Sequence, residues 1–124
     1  DRPEFAAPER FPQAALTDVT PDFADCFAGR NVTPDTSLVI VTRGHMHDAA
    51  VLAQALRTDA GYIGMIGSHR KREAVYARMR EQGFTDADLS RVHSPIGLSI
   101  GAETPEEIAV SIVAELIAER ARRN

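Results

Sequence analysis

The stretch YIGMIGSHRKREAVY, residues 62–76, decides the fold prediction. It starts as a short apolar run, turns at Gly67, and continues in an amphipathic pattern that predicts a helix over residues 69–82. Ser68 stands where it can cap that helix. A buried strand, a glycine turn and a helix in this order are typical of a parallel α/β sheet. Ligands of such sheets collect beyond the carboxyl ends of the strands, where the turns lie.

The first turn of this helix carries a run of four basic or titratable residues, namely His69, Arg70, Lys71 and Arg72. The N-terminus of a helix is already partly positive, so cations are unfavourable there unless an anion neutralises them. We therefore expect a phosphate or pyrophosphate group at this turn, close to the backbone at Gly67. The alternative interpretation is a charged run that simply faces solvent.

The sequence before this stretch shows the same alternation. SLVIVT at residues 37–42 predicts a strand covered on both faces, and a helix with Asp48 as its N-cap follows over residues 48–57. Further upstream, residues 16–20 match a short strand and residues 21–29 a short helix. Residues 1–15 hold three prolines and predict a loop.

Two elements are predicted after residue 83. A one-turn helix capped by Thr85 or Asp86 precedes a short extended segment near residues 92–93. A long helix over residues 105–120 is fixed at its start by Thr104 as N-cap and Glu107 as the capping-box partner. Its apolar residues cover an arc of roughly 200°, which predicts a helix covered on two sides, by the sheet and by a neighbouring element or another subunit. The turns at residues 42–48, 64–71 and 93–105 should meet at one rim of the sheet.

Composition limits the class of protein. The 124 residues are 44% hydrophobic and 26% charged, which predicts one globular domain over residues 1–124. The formal net charge of -4 argues against a nucleic-acid partner, because such a surface needs a basic excess. Cys26 is alone, so no internal disulfide is expected and the thiol is interpreted as a small buried hydrophobe. No run is long and apolar enough for a membrane span, and we expect a cytoplasmic location.

The histidines invite a metal interpretation that their spacing does not favour. His45 and His47 are two residues apart and lack an acidic or cysteine partner at a recognisable ligand spacing, so no metal site is predicted. His45 is interpreted as a hydrogen-bonding group at the rim of the pocket. His93 fits either the same rim or a half-buried structural position. Spacing alone supports no catalytic residue.

Four segments taken together resemble a known family: DRPEFA, VTRGHMHD, YIGMIGSHRK and VHSPIGLSIGAETPEEIAVSIVAEL. They are similar to the C-terminal Rossmann-like domain of the xanthine dehydrogenase accessory factors, the XdhC/CoxI type. The resemblance implies a maturation factor, without catalytic residues of its own, that binds the molybdenum cofactor as molybdopterin or its dinucleotide form. Such a factor serves sulfuration of the cofactor and its insertion into a client molybdenum hydroxylase of the xanthine or carbon monoxide dehydrogenase type. A sulfur donor such as a cysteine desulfurase, and a homo-oligomer, are the further partners that we expect.

Transferred by position, the resemblance places the following residues around the cofactor: Asp1, Gly44, His45, Gly64, Gly67, Ser68, Arg70, Lys71, Ser94, Pro95, Gly97 and Glu103. Asp1 corresponds to the acidic residue that would meet a ribose hydroxyl in a dinucleotide fold. Two positions depart from the family pattern, with His69 in place of the usual arginine and Ser99 in place of the usual aspartate.

The resemblance also predicts that this chain is the C-terminal part of a longer protein. The family's full proteins carry an N-terminal region and a strand–helix–strand unit with a glycine-rich turn before the segment that matches DRPEFA. We expect the sheet edge left open in this chain to be covered by residues 1–15 or by another chain. Two alternatives stay open: an NAD(P)-dependent oxidoreductase domain without its first βαβ half, and a regulatory domain that binds a nucleotide.

Overall fold

A computed structural model describes residues 1–43 and 45–123 of the chain. Their sheet has three parallel strands in the order β1-β2-β3. The elements follow one another along the chain as β1 (Ser37–Ile40), α1 (His45–Leu56), β2 (Tyr62–Met65), α2 (His69–Glu81), α3 (Asp86–Leu89), β3 (Val92–His93) and α4 (Pro105–Arg123). Two 3-10 turns, Pro8–Arg10 and Pro21–Phe23, precede β1. The predicted Rossmann-like α/β class is confirmed.

Strand β2 lies in the middle of the sheet and separates two packing layers. Ile63 pairs with Leu38 of β1 and with Val92 of β3. The side chains of Ile63 and Met65 belong to the main core, which they form with residues of α1 and α2. Because successive side chains of a strand alternate between faces, Tyr62 and Gly64 face the other way, toward α4 and the loop before it.

Strand β1 is covered on one face, and the prediction of two covered faces was wrong. Leu38 and Ile40 are buried, whereas Val39 and Val41 are 40% and 56% exposed. The reason is the position of α4, which contacts β2 through Tyr62, while its own Val113 and Ile117 remain half exposed. The sequence predicted that α4 packs against the sheet on one side and against a further element or another subunit on the other. Within the described part of the chain, no element packs on that other side.

The proline-rich start of the chain does not cover the edge of β1, so the first of the two covers predicted for that edge was wrong. Residues 1–15 form no strand, and in the described residues β1 pairs with β2 alone. Phe5 instead lies beside Arg43, just beyond the carboxyl end of β1, with the guanidinium 5.0 Å from the ring centre. Coverage of the edge by another chain stays a prediction.

The segment between residues 16 and 29 is less regular than predicted. Residues 16–20 form no strand, and the expected helix over residues 21–29 is reduced to the turn Pro21–Phe23. Gln54 of α1 satisfies the backbone here, accepting from the amide of Cys26 at 2.8 Å and donating to the carbonyl of Phe23 at 2.8 Å. Hydrogen bonds with the Gln54 side chain thus replace the backbone hydrogen bonds that a helix would make here. Cys26 was predicted to be buried; it packs against the core but is only half-buried, and this burial raises the pKa of its thiol.

The predicted helix starts are confirmed where a side-chain cap defines them. Ser68 caps α2 by accepting from the amide of Lys71 at 3.2 Å, and Thr85 caps α3. The capping box of Thr104 and Glu107 at α4 is present in both directions, each hydrogen bond being 3.1 Å long. Asp48 is not an N-cap, because α1 begins earlier, at His45. No helix in residues 45–123 is long and apolar enough to cross a bilayer.

Candidate functional site

The three strand-to-helix turns meet at one rim of the sheet, as predicted. The carboxyl end of β1 contacts the first turn of α1 through a hydrogen bond from Thr42 to Asp48. The first turn of α2 contacts α1 through an ion pair of Lys71 with Asp48. It also reaches the loop after β3, since Arg72 donates to the carbonyl of Ser94 at 3.0 Å.

Asp48 is the centre of this junction and is fully buried. Its Oδ1 accepts from the Thr42 hydroxyl, and its Oδ2 lies against the ammonium of Lys71, whose side chain is 17% exposed. Oδ2 has no hydrogen bond of regular geometry, so the ammonium is its charge compensation within the described residues. A buried carboxylate requires such a partner.

This ion pair corrects the argument that the first turn of α2 needs an anion. Lys71 is neutralised by Asp48, and Arg72 is engaged by the Ser94 carbonyl and by Glu73, 2.9 Å away. Two of the four residues in the run therefore have partners inside the chain. Arg70 is exposed and has no ion-pair partner in the part of the chain that the structure describes. His69 is exposed beside it.

The turn before α2 has a backbone conformation that favours glycine at Gly67. Gly67 has φ +134°, a backbone conformation that side-chain-bearing residues rarely adopt. A Cβ at this position would lie 2.6 Å from Cδ of Lys71. Gly67 therefore also makes room for the lysine stem on its way to Asp48.

Two other predicted site glycines have reasons inside the fold. A Cβ on Gly64 would lie 2.5 Å from Cδ1 of Ile96, so this glycine allows the loop after β3 to approach the sheet. Gly97 has φ +98° and lies against Ser111 of α4. Their predicted contact with a cofactor stays a prediction.

The loop after β3 carries the remaining predicted residues. Ser94 and Pro95 are joined by a cis peptide bond. The Ser94 hydroxyl is buried and has no hydrogen-bond partner among the described residues. Glu103 is exposed, and its backbone amide donates to Glu107 at 2.8 Å. Gly44 lies outside the described residues, and so does the side chain of His45.

A buried polar cluster that the sequence did not predict joins β2, β3 and α4. Glu115 accepts from the Tyr62 hydroxyl at 2.6 Å and from the amide of Gly97 at 3.3 Å, and His93 Nδ1 lies 3.7 Å away. The rings of Tyr62 and His93 are stacked with their centres 4.7 Å apart. Burial raises the pKa of Tyr62, and the bond to Glu115 raises it further. The contacts favour the half-buried structural position for His93. The available signal in the sequence was Glu115, a charged residue inside an otherwise apolar stretch of the last helix.

A second feature missed from the sequence is a cavity of about 590 Å³ at the carboxyl end of β1. The cavity is lined by residues of the N-terminal segment and by residues that follow β1, including Asp1, Arg2, Phe5, Arg10, Arg43 and His47. Its composition combines three arginines with aromatic rings, which suits an anionic, planar ligand. The predicted residue Asp1 is thus part of the cavity wall, whereas Ser68, Arg70 and Lys71 are not. Among the described residues, no group of three or more metal-ligating side chains comes together.

The sequence of the chain matches a known protein family over nearly its whole length. A family model described as the XdhC Rossmann domain matches residues 1–116. The chain belongs to this family. The resemblance predicted from the four segments is therefore confirmed.

Named relatives of the XdhC domain extend well beyond the length of this chain. Over 98% of the chain, 32% of residues are identical to a probable xanthine dehydrogenase subunit of Bacillus subtilis, of which 34% is covered. The molybdenum cofactor insertion chaperone PaoD of Escherichia coli is 24% identical over 86% of the chain and 35% of its own length. A crystal structure titled as a xanthine dehydrogenase from Bacillus halodurans superposes with a TM-score of 0.81 and 32% identity, over 99% of this chain and 34% of that one. The chain thus spans about a third of the length of these relatives.

Proposed function

We propose that this XdhC domain binds the molybdenum cofactor during maturation of a molybdenum hydroxylase. The observation that carries the proposal is the arginine-lined cavity at the carboxyl end of β1, in a domain that belongs to the XdhC family. The name of the relative PaoD, a molybdenum cofactor insertion chaperone, supports the same role. In this role the domain holds and transfers a cofactor and is not itself an enzyme.

The residues of the rim fit the chemistry of such a cofactor. Molybdopterin combines a pterin, whose pyrimidine ring is planar, with a phosphate, and its dinucleotide form carries a pyrophosphate. The cavity offers Arg43 and Arg10 for the anionic part and aromatic surface for the planar part. Exposed Arg70, at the capped N-terminus of α2, adds positive potential at the same rim.

The partners follow from this role. The client would be of the xanthine or carbon monoxide dehydrogenase type, and the sulfur for the cofactor would come from a donor such as a cysteine desulfurase. When bound in the client, the cofactor supplies the molybdenum centre for hydroxylation. The chain's own residues bind the anionic end, orient the heterocycle and release it. The other predicted contacts, from Gly44, His45, Gly64, Gly67, Ser68, Lys71, Pro95, Gly97 and Glu103, belong to this proposal.

The proposal is tested on the full-length protein, purified without denaturation. Mass spectrometry should find molybdopterin or its dinucleotide form, and the loaded protein should activate a client enzyme that lacks the cofactor. Arg70→Glu should reduce cofactor retention, while Arg78→Glu, a change of the same charge in the last turn of α2, should not. Finding a nucleotide alone, with no activation of the client, would favour the regulatory alternative.

A second assay addresses the oxidoreductase alternative. The full-length protein, free of client, is mixed with xanthine and NAD, and NADH formation is followed by absorbance. We expect no turnover, because the rim presents binding groups and no assigned pair for proton transfer beside a hydride site. NADH formation that persists after removal of contaminating dehydrogenase, and is lost in His45→Ala, would overturn the maturation role.

A further inference from the structure

We propose that the cavity between the N-terminal segment and β1 is the binding site for a phosphorylated planar heterocycle, with Arg43 as its main anion contact. The N-terminal segment, residues 1–12, supplies one wall, and the end of β1 with the start of α1 supplies the other. The inference rests on the proposed function and assigns the main anion contact within its cavity to Arg43.

The first observation is the gathering of three cations around one ring. The guanidinium carbons of Arg2, Arg43 and Arg10 lie 4.7, 5.0 and 5.7 Å from the centre of the Phe5 ring. A ring attracts each cation by a modest amount, whereas the like charges repel one another. An anion in the cavity would relieve this repulsion.

The second observation concerns the partners of these arginines. Arg2 lies 3.7 Å from the carboxylate of Glu4, and Arg10 donates to the carbonyl of Glu4 at 2.9 Å. Arg43 has no ion-pair or hydrogen-bond partner among the described residues and lies directly beyond the carboxyl end of β1. It is therefore the lining arginine whose charge is least compensated, at the position where ligands of parallel sheets bind.

The third observation sets the class of ligand. Two carboxylates, Asp1 and Asp22, line the cavity together with the arginines, so it accepts hydrogen-bond donors as well as an anion. Phe5, Phe11 and Phe23 add aromatic surface. A phosphorylated heterocycle with amino groups combines these three features. Pterin phosphates and nucleotides both belong to this class, and the experiment distinguishes them.

The test measures binding to the full-length protein, freed of any bound cofactor, by isothermal titration calorimetry. The probes are 6-hydroxymethyl-7,8-dihydropterin pyrophosphate, the same pterin without phosphate, ADP and inorganic pyrophosphate. We expect the pterin pyrophosphate to bind more tightly than the unphosphorylated pterin and ADP. Arg43→Gln should raise its Kd about tenfold or more, which is the effect of losing one charge-assisted hydrogen bond.

Arg57→Gln is the matched control, because its guanidinium lies 5.4 Å from the ring centre of Phe84, outside the cavity. It should leave the Kd unchanged. Arg10→Gln tests the wall formed by the N-terminal segment and should raise the Kd at least threefold, with circular dichroism confirming that each variant is folded. Should Arg43→Gln disturb the fold, the Arg10→Gln result decides.

The outcomes separate this site from the proposed function. Pterin pyrophosphate binding that both cavity variants leave unchanged would overturn the site and spare the function. ADP binding that Arg43→Gln weakens, without pterin binding, would support the cavity and contradict the cofactor role. Binding of none of the phosphorylated probes by the wild-type protein would overturn the site.

Discussion

The buried pair of Asp48 and Lys71 makes an asymmetric prediction about stability. Lys71→Met leaves a carboxylate with no exposure to solvent and without its charge partner. Asp48→Asn leaves an ammonium whose side chain is already 17% exposed and whose flexible stem can turn toward water. The asparagine also keeps an oxygen that can accept from Thr42. The lysine substitution should therefore be the more damaging of the two.

The magnitudes follow from burial. Removing one partner of a buried ion pair costs roughly 3–5 kcal/mol, and Lys71→Met should fall in this range because the remaining carboxylate is enclosed. Asp48→Asn should cost about 1.5–3 kcal/mol, the cost of a lost hydrogen bond with a charged group. The double variant Asp48→Asn with Lys71→Met should be more stable than Lys71→Met alone, since the unpaired charge is gone.

Equilibrium unfolding in urea at neutral pH measures these differences. The matched control is Arg80→Met, which removes a 3.1 Å ion pair to Asp86 between side chains that are 50% and 86% exposed. Such surface pairs contribute about 0–1 kcal/mol, so this variant should be close to wild type. A cost for Lys71→Met no larger than that of Arg80→Met, or a larger cost for Asp48→Asn, would refute the reasoning.

Three further predictions concern local features of the fold. Thr104→Ala should lower the free energy of unfolding by about 1 kcal/mol through loss of the α4 cap, as measured in urea. Hydrogen bonds from the amides of Glu103 and Thr104 lower the pKa of Glu107, so its contribution is present above its unfolded pKa and is lost as the pH falls through the folded one. The stability difference between wild type and Glu107→Gln should accordingly shrink on acidification, and a difference that grows would contradict this. Gly97→Ala should cost more than Gly83→Ala, because both have positive φ near 98° and 95° but a Cβ meets nothing within 4 Å at Gly83 and clashes with α4 at Gly97. Equal thermal midpoints would argue against that clash.

Elements defined by local chemistry were predictable from the sequence. Ser68 and Thr104 cap their helices through hydrogen bonds to backbone amides three residues away, so the signal lies within one short segment. The buried strand β2 follows from its apolar run. The meeting of the three turns follows from the parallel sheet, whose carboxyl ends share an edge.

The burial of β1 could not be predicted in the same way. An uninterrupted apolar run indicates burial on both faces, yet Val39 and Val41 face solvent in this chain. Burial depends on which helix crosses the strand, and α4 contacts the neighbouring β2 through Tyr62 instead. The sequence pattern of residues 37–42 does not indicate which strand α4 contacts.

The cavity was missed for a related reason. Its wall contains Arg2, Phe5 and Arg10, which lie in a segment broken by prolines and without a helical or strand period. Resemblance placed Asp1 at a ligand, and the structure adds the arginines around Phe5. The sequence signal for the cavity was a cluster of arginines and phenylalanines in a proline-rich segment. Only the position of Arg43, after β1, connects this cluster to the sheet.

The basic run at the start of α2 shows why a local rule needs the tertiary structure. The macrodipole argument requires something negative near these charges. For Lys71 that group is Asp48, which belongs to α1, while Arg72 donates to a carbonyl beyond β3. The two cations therefore connect the three turns, and Arg70 is left exposed. A change at Lys71 should consequently disturb the proposed cofactor binding through the positions of the turns, whereas a change at Arg70 should act on it through charge alone.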